Sequence, residues 1–138
     1  MKKYFMFCLF ITSISSSFVA LSDEEEVDCD NASTTYEMNY CLRVELKAAD
    51  EKLDYYIKEA RVFYSDRGSM ADTIETTYQK WTEYRFSYCS AVGAVYAGGT
   101  ISGVMYYACM TNMSYRFINN FWDDFIKGSI AQDKLPKP

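Results

Sequence analysis

The stretch WTEYRFSYC, residues 81–89, places a charged group where an apolar one is expected. In a helix, Trp81, Arg85 and Cys89 are spaced by four residues and share one face, so a guanidinium lies between two side chains of types that are usually buried. An arginine in that position either pairs with a carboxylate of the protein itself or binds the carboxylate of a ligand. The first role is structural, and the second would make Arg85 part of a binding site.

The remaining residues do not form a catalytic pattern. The sequence contains no histidine, so Ser-His-Asp and Cys-His arrangements are absent. The glycine-rich AGGTISG, residues 97–103, lacks the lysine and the spacing of a phosphate-binding loop. Zinc is not expected either, because the chain has neither histidine nor a CxxC pair. These patterns favour a non-enzymatic protein without a metal or another cofactor.

The first 22 residues have the order of a secretory signal peptide. Two lysines precede an apolar run, residues 4–11, and small and polar residues follow it. Residues 20–22 favour cleavage before Asp23, and the apolar run is shorter than the roughly 20 residues that a transmembrane helix needs. We therefore expect residues 1–22 to be removed from a periplasmic or secreted protein that keeps no stable membrane anchor. The alternative is that the apolar run is retained as an anchor.

The charge of the expected mature chain bears on its partners. Without residues 1–22 the chain keeps 12 basic and 19 acidic residues, a net charge of −7. Such a surface repels polyanions, so a nucleic acid is not expected as a partner, and it attracts basic proteins. Acidic charge also keeps exported proteins soluble, which is the simpler explanation of the charge taken alone.

Three segments show helical periodicity. Residues 23–33 form an acidic polar leader, and Thr34 with Glu37 matches a capping box at the start of the first helix. Three apolar stripes follow at spacings of three and four residues, separated at Gly68 and at Gly98-Gly99. The first stripe is Leu42, Leu46, Ala49, Leu53, Ile57, Ala60 and Tyr64. The second is Ile74, Tyr78, Trp81, Arg85, Tyr88, Val92 and Val95. The third is Tyr106, Cys109 or Met110, Met113, Phe117, Phe121 and Phe125.

These stripes predict an all-α fold, a small antiparallel three-helix bundle over residues 34–127. A polar C-terminal tail, residues 128–138, follows the bundle. Folding the first two helices back at Gly68 brings Asp50, 18 residues before the glycine, level with Arg85, 17 residues after it. We interpret Asp50 and Arg85 as a salt bridge that fixes the helix register, because an unpaired buried guanidinium would be costly. A role for Arg85 as a clamp for a ligand carboxylate stays open.

Four cysteines remain once Cys8 is removed with the signal peptide, and an even number in a small exported chain is typical of disulfides. Cys89 and Cys109 lie ten residues before and after Gly99, so the second hairpin brings them level. That geometry favours a disulfide between them and leaves Cys29 to pair with Cys41. Because all four lie at one end of the bundle, exchanged pairing stays open.

Ordered motifs extend this pattern over most of the chain. DC at residues 28–29 is followed by EMNYC at 37–41, ADEKLD at 49–54 and QKWTEYR at 79–85 with Cys89, and GGT at 98–100 is followed by Cys109 and Arg116. The series resembles the lysozyme inhibitor LprI-like family of bacterial exported proteins, over roughly residues 28–126. The resemblance implies a helical domain with paired cysteines.

The same resemblance implies inhibition of a lysozyme, and a basic lysozyme would be attracted by the acidic chain. The expected contact is the turn from Gly98 to Tyr106, which a disulfide would brace and whose Thr100, Ser102 and Tyr106 carry hydroxyls. The alternative is a structural or assembly module of the cell envelope with no enzyme target.

Overall fold

The structure, a computed structural model, describes residues 27–138. The expected signal peptide, residues 1–22, and the first part of the acidic leader lie outside the described residues. Within the described range the chain forms three long α-helices and no strand. They are α1, Thr35–Phe63; α2, Met70–Val95; and α3, Ser102–Phe121. A π-helical turn, Trp122–Ile126, and a 3-10 helix, Ile130–Asp133, follow. The predicted all-α three-helix fold is confirmed.

The start of α1 is fixed by the capping box. The hydroxyl of Thr34 accepts a hydrogen bond from the Glu37 N–H at 3.2 Å, and the Glu37 carboxylate accepts the N–H groups of Thr34 and Ser33 at 2.9 Å each. These bonds satisfy donors that a helix N-terminus otherwise leaves without partners. The Thr34 and Ser33 N–H groups also lower the pKa of Glu37, because they stabilise its charged form.

The apolar core lies at the end of the bundle where α1 turns into α2. It takes its members from the second half of α1 and its C-terminal cap, the second turn of α2, the end of α3 and the segment that follows α3. These are Leu53, Tyr56, Ile57, Ala60, Tyr64, Ile74, Ile118, Phe121, Trp122, Ile126, Ala131 and Leu135. The stripe predicted for α1 is buried from Ala49 onward, as expected. α1 ends at Phe63, and Gly68, where the sequence predicts the break between the first two helices, lies in the loop that follows with a φ of +59°.

The C-terminal segment, residues 128–138, is polar in composition but packs against this core. Leu135 is 1% exposed, and its carbonyl accepts a hydrogen bond from the Trp122 indole at 2.8 Å. The Tyr56 hydroxyl donates to the carbonyl of Pro136, which attaches the segment to α1 as well. A short amphipathic piece of chain therefore closes the open end of the core.

The second half of α2 is rotated relative to the predicted stripe. Tyr88 and Val95, expected in the interior, are 50% and 78% exposed, while Cys89 and Gly93 are buried in their place. Cys89 is drawn to α3 by its disulfide. At Gly93 the two helices approach so closely that an added Cβ would lie 3.2 Å from the Cβ of Tyr106. Small residues thus face α3 here, and the large apolar side chains point outward.

Candidate functional site

Both disulfides lie at the end of the bundle opposite the apolar core. One joins Cys29 to Cys41, with 5.5 Å between the Cα atoms, and ties the segment before α1 to the second turn of that helix. The other joins Cys89 to Cys109, with 5.6 Å between the Cα atoms, and links the last turns of α2 to the first half of α3. This is the pairing that the hairpin geometry favoured. We call the region that the two bonds hold the braced end.

The turn between α2 and α3 forms the tip of the braced end. The chain leaves α2 at Val95, passes Gly98 with a φ of +88°, and enters α3 at Ser102. Thr100 is exposed, but the Ser102 hydroxyl donates to the carbonyl of Gly93 at 2.8 Å and so closes the hairpin internally. Tyr106 is only partly exposed. Of the three residues predicted to offer hydroxyls, Thr100 is therefore the one that presents its side chain fully.

An unexpected close approach joins α1 to α3 beside this turn. A Cβ built on Gly103 would lie 2.6 Å from the amide oxygen of Asn39, so no larger residue fits there without movement of that side chain. The Asn39 amide nitrogen donates to the carbonyl of Thr35 at 2.7 Å. Its amide oxygen is buried and has no hydrogen-bond partner within the described protein. In the sequence, Gly103 predicted only a turn, and nothing there indicated that the glycine allows α1 to approach α3.

Arg85 lies at the centre of a polar network between all three helices. Its Nη1 donates to Asp50 Oδ1 of α1 at 2.5 Å and to the Ser114 hydroxyl of α3, and its Nη2 lies 3.4 Å from Asp50 Oδ2. The Ser114 hydroxyl lies 2.9 Å from Asp50 Oδ1. The Arg85 side chain is 7% exposed and that of Asp50 is 35% exposed. The structure thus brings together the two residues that the hairpin geometry placed level.

One aromatic ring covers a face of the guanidinium. The Arg85 Cζ atom lies 4.8 Å from the centre of the Trp81 ring, within the range of a cation–π interaction. Trp81 in turn stacks on Phe117 with 4.2 Å between ring centres. Arg85 therefore has its charge neutralised by Asp50 and its face covered by Trp81, which leaves little space for a ligand carboxylate. We propose a structural role for this pair.

Tyr78 and Asp54 form a second polar contact between α1 and α2. The tyrosine hydroxyl donates to Asp54 Oδ1 at 2.5 Å. Burial raises the pKa of Tyr78, and the hydrogen bond and charge of Asp54 raise it further. The tyrosine therefore stays a neutral donor at physiological pH. Sequence reasoning assigned Tyr78 to the apolar stripe and missed this bond, as it also missed Ser114, because neither residue type indicates a partner by itself.

Among residues 27–138, no group of three or more potential metal-ligating side chains lies together. The described helices also include none long and apolar enough to cross a membrane. What the site offers is a rigid, disulfide-held surface with a turn at its tip, which defines a small helical domain suited to recognition.

Comparison with known proteins places this domain in a family. The chain belongs to the family described as lysozyme inhibitor LprI, whose model matches residues 29–118. The matched range contains all four paired cysteines, the Asp50–Arg85 pair and the turn between α2 and α3. Searches among curated proteins and among solved structures found no match. The family is one of inhibitors rather than enzymes, and two disulfides favour an oxidising compartment.

Proposed function

We propose that this protein is an exported inhibitor that binds a basic lysozyme and blocks it without chemical change to either protein. The observation that carries the proposal is the family match over residues 29–118, because that range includes nearly all of the three helices and both disulfides. The match therefore concerns most of the folded domain and not a short motif.

Charge supports a basic partner. Once residues 1–22 are removed the chain has a net charge of −7. Opposite net charges raise the rate of encounter between two proteins, and salt weakens this effect. We expect the association rate with a basic lysozyme to fall as the salt concentration rises, with a smaller change in the dissociation rate.

We place part of the contact at the turn from Gly98 to Tyr106. The turn projects from the braced end, where the Cys89–Cys109 disulfide limits its motion. Thr100 is free to contact a partner, whereas the hydroxyl of Ser102 is already bonded to Gly93. A preorganised turn loses less entropy on binding than a mobile one, which favours affinity.

The test is inhibition of lysis of a peptidoglycan suspension by several types of lysozyme, with residues 23–138 purified in oxidised form. We expect slower lysis with at least one basic lysozyme, and weaker inhibition for Thr100→Ala. Thr77→Ala is the matched control, because Thr77 is exposed on α2 far from the turn. A folded protein that inhibits no lysozyme type would refute the proposal and favour a structural module of the cell envelope.

A further inference from the structure

The braced end contains a long uncharged stretch. Residues 86–115, between Arg85 and Arg116, include no aspartate, glutamate, lysine or arginine, although such residues make up 24% of the chain. They form the last turns of α2, the turn, and most of α3. The centres of protein interfaces are depleted in charge and enriched in aromatic residues and methionine. Tyrosine, serine and glycine, abundant in this stretch, are also typical of antibody binding loops.

Large apolar side chains face outward along the second half of α2, within the uncharged stretch and immediately before it. Tyr84, Tyr88 and Val95 are spaced by four and seven residues, so they share one face, and they are 56%, 50% and 78% exposed. We call these three residues the outer stripe. The rings of Tyr84 and Tyr88 lie 5.7 Å apart and support each other. Because Cys89 and Gly93 occupy the interior at this level, the two residues of the stripe beside them, Tyr88 and Val95, are not needed to fill the core.

Exposed charged side chains lie near this uncharged stretch, and one of them is basic: Lys80 is exposed four residues before Tyr84. Glu83 is exposed immediately before Tyr84 on α2. Asp28 and Asp30 are exposed beside the Cys29–Cys41 disulfide, at the same end of the bundle. An apolar centre with a polar rim is the usual anatomy of a protein interface, and the expected mature chain as a whole has a net charge of −7. The complementary partner is a protein with a positive surface around its contact region.

We infer that the outer stripe, together with the neighbouring turn, is the surface that binds a basic lysozyme. This inference rests on the proposed function and names the surface that performs it. The two tyrosines supply rigid contact area and serve as the anchors, because tyrosine is enriched among the residues that dominate binding energy. The negative net charge of the chain guides the approach of the basic partner and contributes mainly to the association rate.

The test compares two matched double variants of the mature protein. Tyr88→Ala with Val95→Ala removes two members of the outer stripe. Tyr55→Ala with Val62→Ala is the control, since these residues are 49% and 63% exposed on α1, near the opposite end of the bundle. Alanine is the best helix former, so both variants should fold like the parent. The affinity of each for a basic lysozyme is measured by calorimetry, with thermal unfolding as the check on folding.

We expect the stripe variant to bind at least about tenfold more weakly and the control to stay within about twofold of the parent. Equal binding by parent, stripe variant and control would overturn the inference and leave the proposed function standing. A parent protein that binds no lysozyme would overturn both. A parent dimer that the stripe variant converts to monomer, or parent binding to lipid vesicles that the variant loses, would assign the stripe to another occupant and overturn the inference.

Discussion

Removing Asp50 alone and removing Arg85 alone should lower the free energy of unfolding by unequal amounts. Arg85 is almost fully buried, whereas about a third of the Asp50 side chain reaches solvent. A guanidinium cannot lose its proton, so Asp50→Asn leaves a buried charge without a carboxylate. Removing one partner of a buried pair in this way costs about 3–5 kcal/mol. We expect Asp50→Asn to fall within that range.

Arg85→Met should cost less. The surviving carboxylate of Asp50 keeps its contact with solvent and with the Ser114 hydroxyl, 2.9 Å away. We expect a loss of about 2 kcal/mol, between the values for exposed and for buried pairs. Asp50→Leu combined with Arg85→Met should be more stable than Asp50→Asn alone, because neither charge then remains buried.

Urea and thermal unfolding of the single and double variants measure these differences, with about 4 °C of melting temperature expected per kcal/mol. Arg61→Met is the control, because Arg61 pairs with Glu75 at 2.8 Å but both side chains are far more exposed than Arg85. It should cost no more than about 1 kcal/mol. Equal losses for Asp50→Asn and Arg85→Met, or a double variant less stable than Asp50→Asn, would refute the reasoning. An Arg85→Met protein as stable as the parent that has lost binding would instead identify a ligand clamp.

Three further predictions concern the two ends of the bundle. Leu135→Ala should cost about 2–5 kcal/mol in urea unfolding, because the side chain is fully buried; a loss below about 1 kcal/mol would show that the C-terminal segment does not pack on the core. Replacing Cys89 and Cys109 by alanine should lower the free energy of unfolding by about 2–5 kcal/mol, and unchanged stability would contradict the bracing role. Because the pKa of Glu37 is lowered, its stabilisation of α1 is present above the ordinary glutamate pKa and is lost as the pH falls through the lowered value. The protection of the Thr34 amide against hydrogen exchange, taken relative to the intrinsic exchange rate at each pH, should therefore fall in acid, and Glu37→Gln should remove that pH dependence.

Features set by local spacing could be predicted from the sequence. The capping box and the buried stripe of α1 depend on residues within one helix, and both were found where expected. The prediction that Asp50 lies level with Arg85, and Cys89 with Cys109, required only the position of each turn. Counting from a turn tolerates an error of one or two residues, because side chains at neighbouring levels of a helix can still reach each other.

Features set by contacts between helices could not be predicted in this way. The rotation of α2 depends on the pull of the disulfide at Cys89 and on the close approach at Gly93, neither of which changes the apolar periodicity. Ser114, on α3, faces the interior of the bundle, where Arg85 and Asp50 provide polar partners for its hydroxyl. Leu135 is one of few apolar residues in a mostly polar segment, so its burial could be recognised only from the structure of the core that receives it.

The two ends of the bundle are held together in different ways, and this difference separates the residues that stabilise the fold from those proposed to bind a partner. At one end apolar side chains hold the helices together, and at the other the disulfides do, so tyrosine and valine side chains there are free to face outward. The network of Arg85, Asp50 and Ser114 lies between the two ends and contacts α1 and α3 at once. A change at Arg85 should therefore reduce stability and lysozyme binding together, since it loosens the register on which the braced end depends. A change in the outer stripe should reduce binding alone, and this contrast separates a positioning role from direct contact.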